Sequence, residues 1–145
     1  MSLIVNTTAE EWYASAPRQA GIYRLIDKTM SDIGLQERIW AVNALGESRD
    51  PRAVHPLIDC CRDPDEELRW HAIGALETIR SGRGVDVLIE RLRNPHEHER
   101  IRKRAAEALA AIGSLSAIEG LRDAVAAEPE GSNVRALMTS LLSRS

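Results

Sequence analysis

Arg38-Ile-Trp-Ala41-Val-Asn-Ala44-Leu45, Arg69-Trp-His-Ala72-Ile-Gly-Ala75-Leu76 and Arg102-Lys-Arg-Ala105-Ala-Glu-Ala108-Leu109 are one eight-residue pattern written three times. Each copy sets an Arg ahead of two Ala and a Leu at the same offsets, and the copies begin 31 and then 33 residues apart. A looser fourth copy starts at Arg135, a further 33 residues on, with Met138, Leu141 and Leu142 where the small residues and the Leu stood. Terminal copies of a repeat are commonly atypical, because one side of them meets solvent.

A second pattern interleaves with the first. Leu25-Ile-Asp27, Leu57-Ile-Asp59, Leu88-Ile-Glu90 and Leu121-Arg-Asp123 recur at steps of 32, 31 and 33 residues. Each repeat therefore holds two amphipathic segments. The spacing predicts helix pairs at about 18–30 with 35–47, 51–62 with 65–80, 83–93 with 97–112, and 116–127 with 133–143, preceded by a leading helix at about 8–15. The corresponding repeats run approximately 17–47, 50–80, 81–112 and 114–143 within one domain spanning 1–145. No segment is left for a strand.

The punctuation agrees with this division. Asp50-Pro51, Asp63-Pro64 and Asn94-Pro95 put a capping side chain before a proline suited to the first helical position. Glu66 and Glu97 follow Asp63 and Asn94 at capping-box spacing, as Glu11 follows Thr8, and Gly113 reads as a helix stop. Leu68, Ala72, Leu76 and Ile79, with Ile101, Ala105, Leu109 and Ile112, recur at helical spacing and form the expected core.

Composition fits. At 145 residues the chain is long enough to bury a core, and it is 43% hydrophobic and 28% charged. With three Trp, two Tyr and no Phe, the interior must be built from Leu, Ile, Val and Ala, side chains that let helices approach closely. A net charge of -3 and a pI near 5.8 supply no global field for nucleic acid or an anionic membrane. No stretch reaches the roughly 20 apolar residues that span a bilayer, and Met1–Val5 is short for a signal sequence, so a cytoplasmic location is expected. Cys60 and Cys61 are adjacent and are the only cysteines, which offers neither a disulfide framework nor a Cys-rich zinc site. Register with Leu92 and Val125 makes Cys61 a buried small hydrophobe. Register with Arg91 makes Cys60 the more exposed of the two.

On the strength of these motifs the sequence resembles the HEAT-like repeats of the phycobilisome-lyase type over roughly residues 18–143. The resemblance implies an all-α, right-handed α-α superhelix of about four helix pairs, with second helices lining a concave face. Asp32 and Asp63 precede Arg38 and Arg69 by six residues, a spacing that in such solenoids resembles a ladder between repeats. In the third repeat Asn94 replaces the Asp and Arg102 lies eight residues on, so the resemblance does not carry the ladder across that step.

The concave positions facing away from the core are Trp40, His71 and Arg104 in one row and Asn43, Gly74 and Glu107 in another, with Trp70 and Lys103 beside them. Trp and Arg are favoured interface anchors, although both Trp residues also suit packing between repeats. The deoxyhypusine hydroxylases, which this fold also resembles, place His-Glu pairs directly after the repeat Arg to hold two irons. Here Trp70-His71 and Lys103-Arg104 stand there, so the ligands of a di-iron site are missing. His96 and His98, spaced by Glu97, do not complete a tetrahedral metal site and read as a solvated turn. Asp27, Asp59, Glu90 and Asp123 form an acidic stripe on the outer helices, read as a solvated face.

The resulting expectation is a non-enzymatic scaffold with no cofactor that binds a protein partner through Trp40, Asn43, Trp70, His71, Lys103, Arg104 and Glu107, with a monomer as the simplest state. Two alternatives remain open. One is nucleic-acid binding through the basic run Arg91, Arg93, Arg100, Arg102, Lys103 and Arg104, diluted by Glu90, Glu97, Glu99 and Glu107. The other is an accessory role in the bilin-lyase chemistry of the resembled family.

Overall fold

The computed structural model describes residues 18–30 and 32–144, with side chains from residue 21. The leading helix at 8–15 and the Thr8–Glu11 cap lie outside the described residues. Among the described residues the chain is all-α, with eight α-helices and no strand. They are α1 (Arg18–Met30), α2 (Leu35–Ser48), α3 (Val54–Cys60), α4 (Glu66–Ile79), α5 (Val85–Arg93), α6 (Glu99–Ile112), α7 (Leu115–Ala127) and α8 (Asn133–Ser143). Single 3-10 turns at Pro51–Ala53 and Gly82–Gly84 lead into α3 and α5.

The packing is that of a two-layer stack. α1, α3, α5 and α7 form one layer, and α2, α4, α6 and α8 the other. Each helix packs on its partner within the repeat, while α2 packs on α4, α4 on α6 and α6 on α8. A lone helix pair leaves its apolar flank open, and stacking the next pair closes it. Between the layers Leu25, Leu57, Leu88 and Leu121 from the first helices meet Leu45, Leu76 and Leu109 from the second, all fully buried. Leu68, Ala72, Ile101 and Ala105 are buried as the periodicity requires, whereas Ile79 and Ile112, one turn further on, are half-buried at helix ends. Small residues set the spacing of the second layer. A Cβ placed on Gly46 would stand 2.8 Å from the Cα of Ala75, so α2 and α4 approach more closely than any larger residue at 46 permits.

Helix ends follow local chemistry. Arg49, Arg80 and Gly113 close α2, α4 and α6 in the left-handed conformation at φ 53°, 56° and 65°, so only the third uses the residue that adopts it without strain. The proline-associated caps are partly revised. Asp50 does cap, accepting from the Arg52 amide. Asp63 and Asn94 instead accept from the amides two residues on, Asp65 and His96, and form turns that precede the helices. The N-cap of α4 is Asp65, which accepts from the Leu68 amide, and that of α6 is His98, with no side-chain hydrogen bond.

The inter-repeat ladder is present at every step, including the third repeat, where the sequence departs from the Asp-to-Arg spacing. Arg38 donates to the Thr29 carbonyl of its own repeat and to Asp63 of the next at 2.8 Å. Arg69 donates to the carbonyls of Asp63 and Pro64 and, through Nε and Nη2, to both oxygens of Glu97 at 2.9 and 2.8 Å. Arg102 donates to the Leu92 carbonyl and to both oxygens of Glu128. Asn94 spends its one carbonyl oxygen on the turn and has no carboxylate to offer. The two extra residues of that turn bring Glu97 to the same place. Arg91 joins it at 3.1 Å, leaving the Glu97 side chain 1% exposed.

Burial pushes the Glu97 carboxyl up, but hydrogen bonds from Arg69, the His98 amide and Arg91 outweigh it and hold the group below its ordinary range. The Arg102 hydrogen bonds likewise lower Glu128.

Cys60 departs from its expected exposure. It is 5% exposed, packed in the seam between α1 and α3 against Thr29, and burial pushes its thiol up to about 11. Cys61 is buried as expected, and burial raises its thiol too.

Replacing Glu97 by Gln strands two shielded guanidinium groups and should cost about 2–4 kcal/mol in chemical denaturation. Because Glu97 and Glu128 are depressed, their contribution is present above the ordinary glutamate value of about 4.3 and is lost as pH falls below it; the E97Q variant should show a shallower acid dependence than the parent. At the helix ends, Arg80→Gly should stabilise by about 0.5–1 kcal/mol and Gly113→Ala destabilise by about 1 kcal/mol, both read from thermal melts.

Candidate functional site

The exposed face of the second-helix layer carries the predicted positions, and the helix spacing decides which of them meet. Trp70 on α4 lies under two guanidinium groups from α6, Arg104 at 4.4 Å and Arg100 at 4.9 Å from the ring centre. Arg100 and Arg104 are one helical turn apart and so reach the same ring. Arg100 is also bound to Glu66 and Glu67 at the start of α4, which clamps the two helices over the indole.

Arg104 has a different environment. Its guanidinium lies across Gly74, where an added Cβ would stand 2.1 Å from Nη2. The Nε is buried with no hydrogen-bond partner among the described residues. Arg104 forms one wall of a cleft of about 190 Å³, shared with Asn43, Glu47, His71, Gly74 and Thr78. His71 Nδ1 lies 3.2 Å from Asn43 Oδ1, which ties α2 to α4 along the cleft floor. Burial lowers the His71 pKa, opposed by Glu67 and assisted by Arg104 and Arg100, so the ring is neutral at neutral pH. In the tautomer with the proton on Nδ1, His71 donates to Asn43 and presents Nε2 as an acceptor.

The predicted set is therefore divided. Asn43, His71 and Arg104 line this cleft, and Trp70 stacks on Arg104 without lining it. Trp40 on α2 is half-buried against the core and does not line the cleft. Lys103 holds the same repeat position as Trp70, directly after the repeat arginine, and sits 4.0 Å from Glu99. Glu107 lines a separate hollow with Glu77, Ala110, Ile118, Leu141 and Arg144. Sequence reasoning missed Arg100 as a cover of Trp70, although its four-residue spacing from Arg104 was the available signal. It also missed Glu47 and Thr78, which follow Asn43 and Gly74 by one helical turn.

Half of the basic run is paired internally, while Arg93 is exposed and Arg104 holds no carboxylate among the described residues. Arg91 binds Glu90 and Glu97, Arg100 binds Glu66 and Glu67, and Arg102 binds Glu128. In the outer stripe Glu90 also binds Arg62, whereas Asp27, Asp59 and Asp123 are exposed. In the histidine-containing turn, His98 lies 3.3 Å from Glu66 and His96 is exposed. Among the described residues no three His, Cys, Asp or Glu side chains gather in a way that could hold a metal ion, and no helix is long and apolar enough to cross a membrane.

Two layers of paired helices linked by arginine rungs define a helical-repeat solenoid. The chain belongs to the HEAT-like repeat proteins of the PBS-lyase type: a HEAT-repeat model matches residues 35–100 and a PBS lyase HEAT-like repeat model residues 101–127. Among solved structures it is similar to human deoxyhypusine hydroxylase in complex with glycerol, with 20% identity, a TM-score of 0.72, and coverage of 86% of this chain and 44% of that one. It is also similar to the complex of CpcE and CpcF of phycocyanin lyase from a Nostoc species, with 22% identity, a TM-score of 0.66, and coverage of 93% and 56%. The chain thus spans about half the length of these structures, and the likeness concerns the fold. No curated protein matches it.

The cleft chemistry has a direct readout. In an NMR titration His71 should titrate below the ordinary imidazole value, chiefly through burial. Arg104→Ala, which removes a neighbouring positive charge and opens the cleft, should move it upward; an unchanged value would place Arg104 away from the ring.

Proposed function

We propose that the chain is a non-enzymatic scaffold that binds a partner protein through the exposed face of α2, α4 and α6. The observation that carries this reading is the Trp70 ring held between helices under Arg100 and Arg104, beside a polar cleft. An aromatic ring with adjacent guanidinium groups offers large contact area together with directional donors, the combination enriched at protein interfaces. The CpcE–CpcF structure, which this chain resembles, is itself a complex of two proteins. Pairing of Arg91, Arg100 and Arg102 with Glu66, Glu67, Glu90, Glu97 and Glu128 takes up half of the 91–104 basic run and favours a protein over a nucleic acid as partner.

A second reading, an accessory part in lyase-type chemistry on a bilin-carrying protein, is favoured by the PBS lyase repeat match at 101–127 and the similarity to phycocyanin lyase. It predicts a coloured ligand that co-purifies with the chain.

The test compares capture from the native cell extract by the parent chain and by a variant with Asn43, Lys103 and Arg104 replaced by Ala. These side chains are outside the buried core, so the variant should melt within about 1 kcal/mol of the parent. A protein retained by the parent and lost by the variant supports the scaffold. Equal capture by a folded variant moves the interface elsewhere, and salt-sensitive nucleic acid or a pigment in the eluate would replace this reading with one of the others.

A further inference from the structure

We infer that the cleft beside Arg104 receives a single carboxylate from an acidic residue of the partner protein. This inference rests on the protein-binding reading above and names the chemistry that the partner must bring.

The argument begins with how arginine is used elsewhere in this molecule. Among the half-buried arginines, Arg38, Arg52, Arg69, Arg91 and Arg102 each hold a carboxylate and Arg135 donates to a carbonyl, while exposed arginines such as Arg93 and Arg122 meet solvent. Arg104 forms no ion pair or hydrogen bond among the described residues, although it is half-buried and held in place by Trp70 on one side and Gly74 on the other. Its Nε is turned into the helix contact and shielded there without an acceptor. The guanidinium borders the cleft, so an incoming acceptor meets a cation already desolvated along one edge and fixed in orientation. Such a group loses little rotamer freedom on binding, which is the cost that usually weakens an exposed arginine contact.

The surroundings select the anion. Asn43 and Thr78 supply neutral polar groups, and His71 is uncharged at neutral pH, so Arg104 is the one full positive charge in the cleft wall. Glu47 stands in the same wall, and Glu67 lies near enough to His71 to act on its titration. One carboxylate is balanced by Arg104. A chain of phosphates would bring further negative charge against Glu47 and Glu67, where like charges repel. The modest volume of about 190 Å³ suits a side chain and excludes a large planar ligand.

Random peptides displayed on phage provide the probe, selected on the full chain and measured individually by fluorescence anisotropy. The selected peptides should share one Asp or Glu position. Changing that residue to its amide should weaken binding to the parent chain roughly 10- to 100-fold, the size of a charge-assisted contact. On Arg104→Gln the same amide change should have almost no effect. Gly74→Ala, which displaces the guanidinium while keeping its charge, should reproduce the loss; if that variant misfolds, the coupling between Arg104→Gln and the peptide amide decides alone.

Peptides that bind without an acidic position, or an amide penalty of equal size on the parent and on Arg104→Gln, would overturn the carboxylate site and leave the protein-binding reading standing. Failure to retain any peptide, with single-stranded oligonucleotides binding in a salt-dependent way, would overturn both.

Discussion

The guanidinium rung between successive repeats is the constraint on which the arrangement depends. A planar fork with five donors can face two directions at once. Here it satisfies carbonyls at the end of its own repeat's first helix or turn and grips a carboxylate carried by the next repeat's turn. Arg38, Arg69 and Arg102 all do so, and Arg135 keeps the inward half, donating to the Glu128 carbonyl. Shielded ion pairs contribute little net energy relative to apolar contacts of the same volume. The folding drive comes from the leucine and alanine layers, and the rungs fix how far one repeat is rotated and shifted against the next.

That register explains the site. With α4 and α6 pinned at their N-terminal ends by Arg69–Glu97 and by Arg100 on Glu66 and Glu67, the middle of α6 is held over the middle of α4. Arg104 then has one place to lie, on the bare backbone of Gly74 and the face of Trp70. The rungs take up Arg91 and Arg102 between 91 and 104, and Arg100 is held by Glu66 and Glu67 beside them. A segment that reads as a positive patch is thereby partly neutralised, and Arg104 is left beside the cleft without a carboxylate of its own. The charge available to a partner is decided by the ladder's bookkeeping of acids and bases, which composition alone does not reveal.

The third repeat shows how the pattern tolerates change. Replacing Asp by Asn removes the carboxylate oxygen that Arg38 uses at Asp63, yet the turn hydrogen bond made by that side chain survives. Two added residues bring Glu97 within reach of Arg69, and the new carboxylate also takes Arg91. Geometry at the rung is kept while the residue that forms it moves by three positions, from 94 to 97. A reading that looks for Asp at a fixed distance from Arg sees a break where the structure has a more deeply shielded pair.

The helices, their pairing and the buried leucines were determined by the sequence itself, because each depends on short-range periodicity and on small residues repeated at intervals of 31 to 33. Helix stops at Gly113 and the cap at Asp50 were legible for the same local reason. The partners of charged side chains were not, since Arg69 and Glu97 lie 28 residues apart and any of several acids satisfies the same chemistry. Cys60 was misplaced because its cover comes from α1, outside its own repeat. Only the tertiary structure separated Glu107 from Arg104, brought Asn43 to His71, and placed Arg104 across Gly74, because those relations depend on the distance and rotation between helices set by packing.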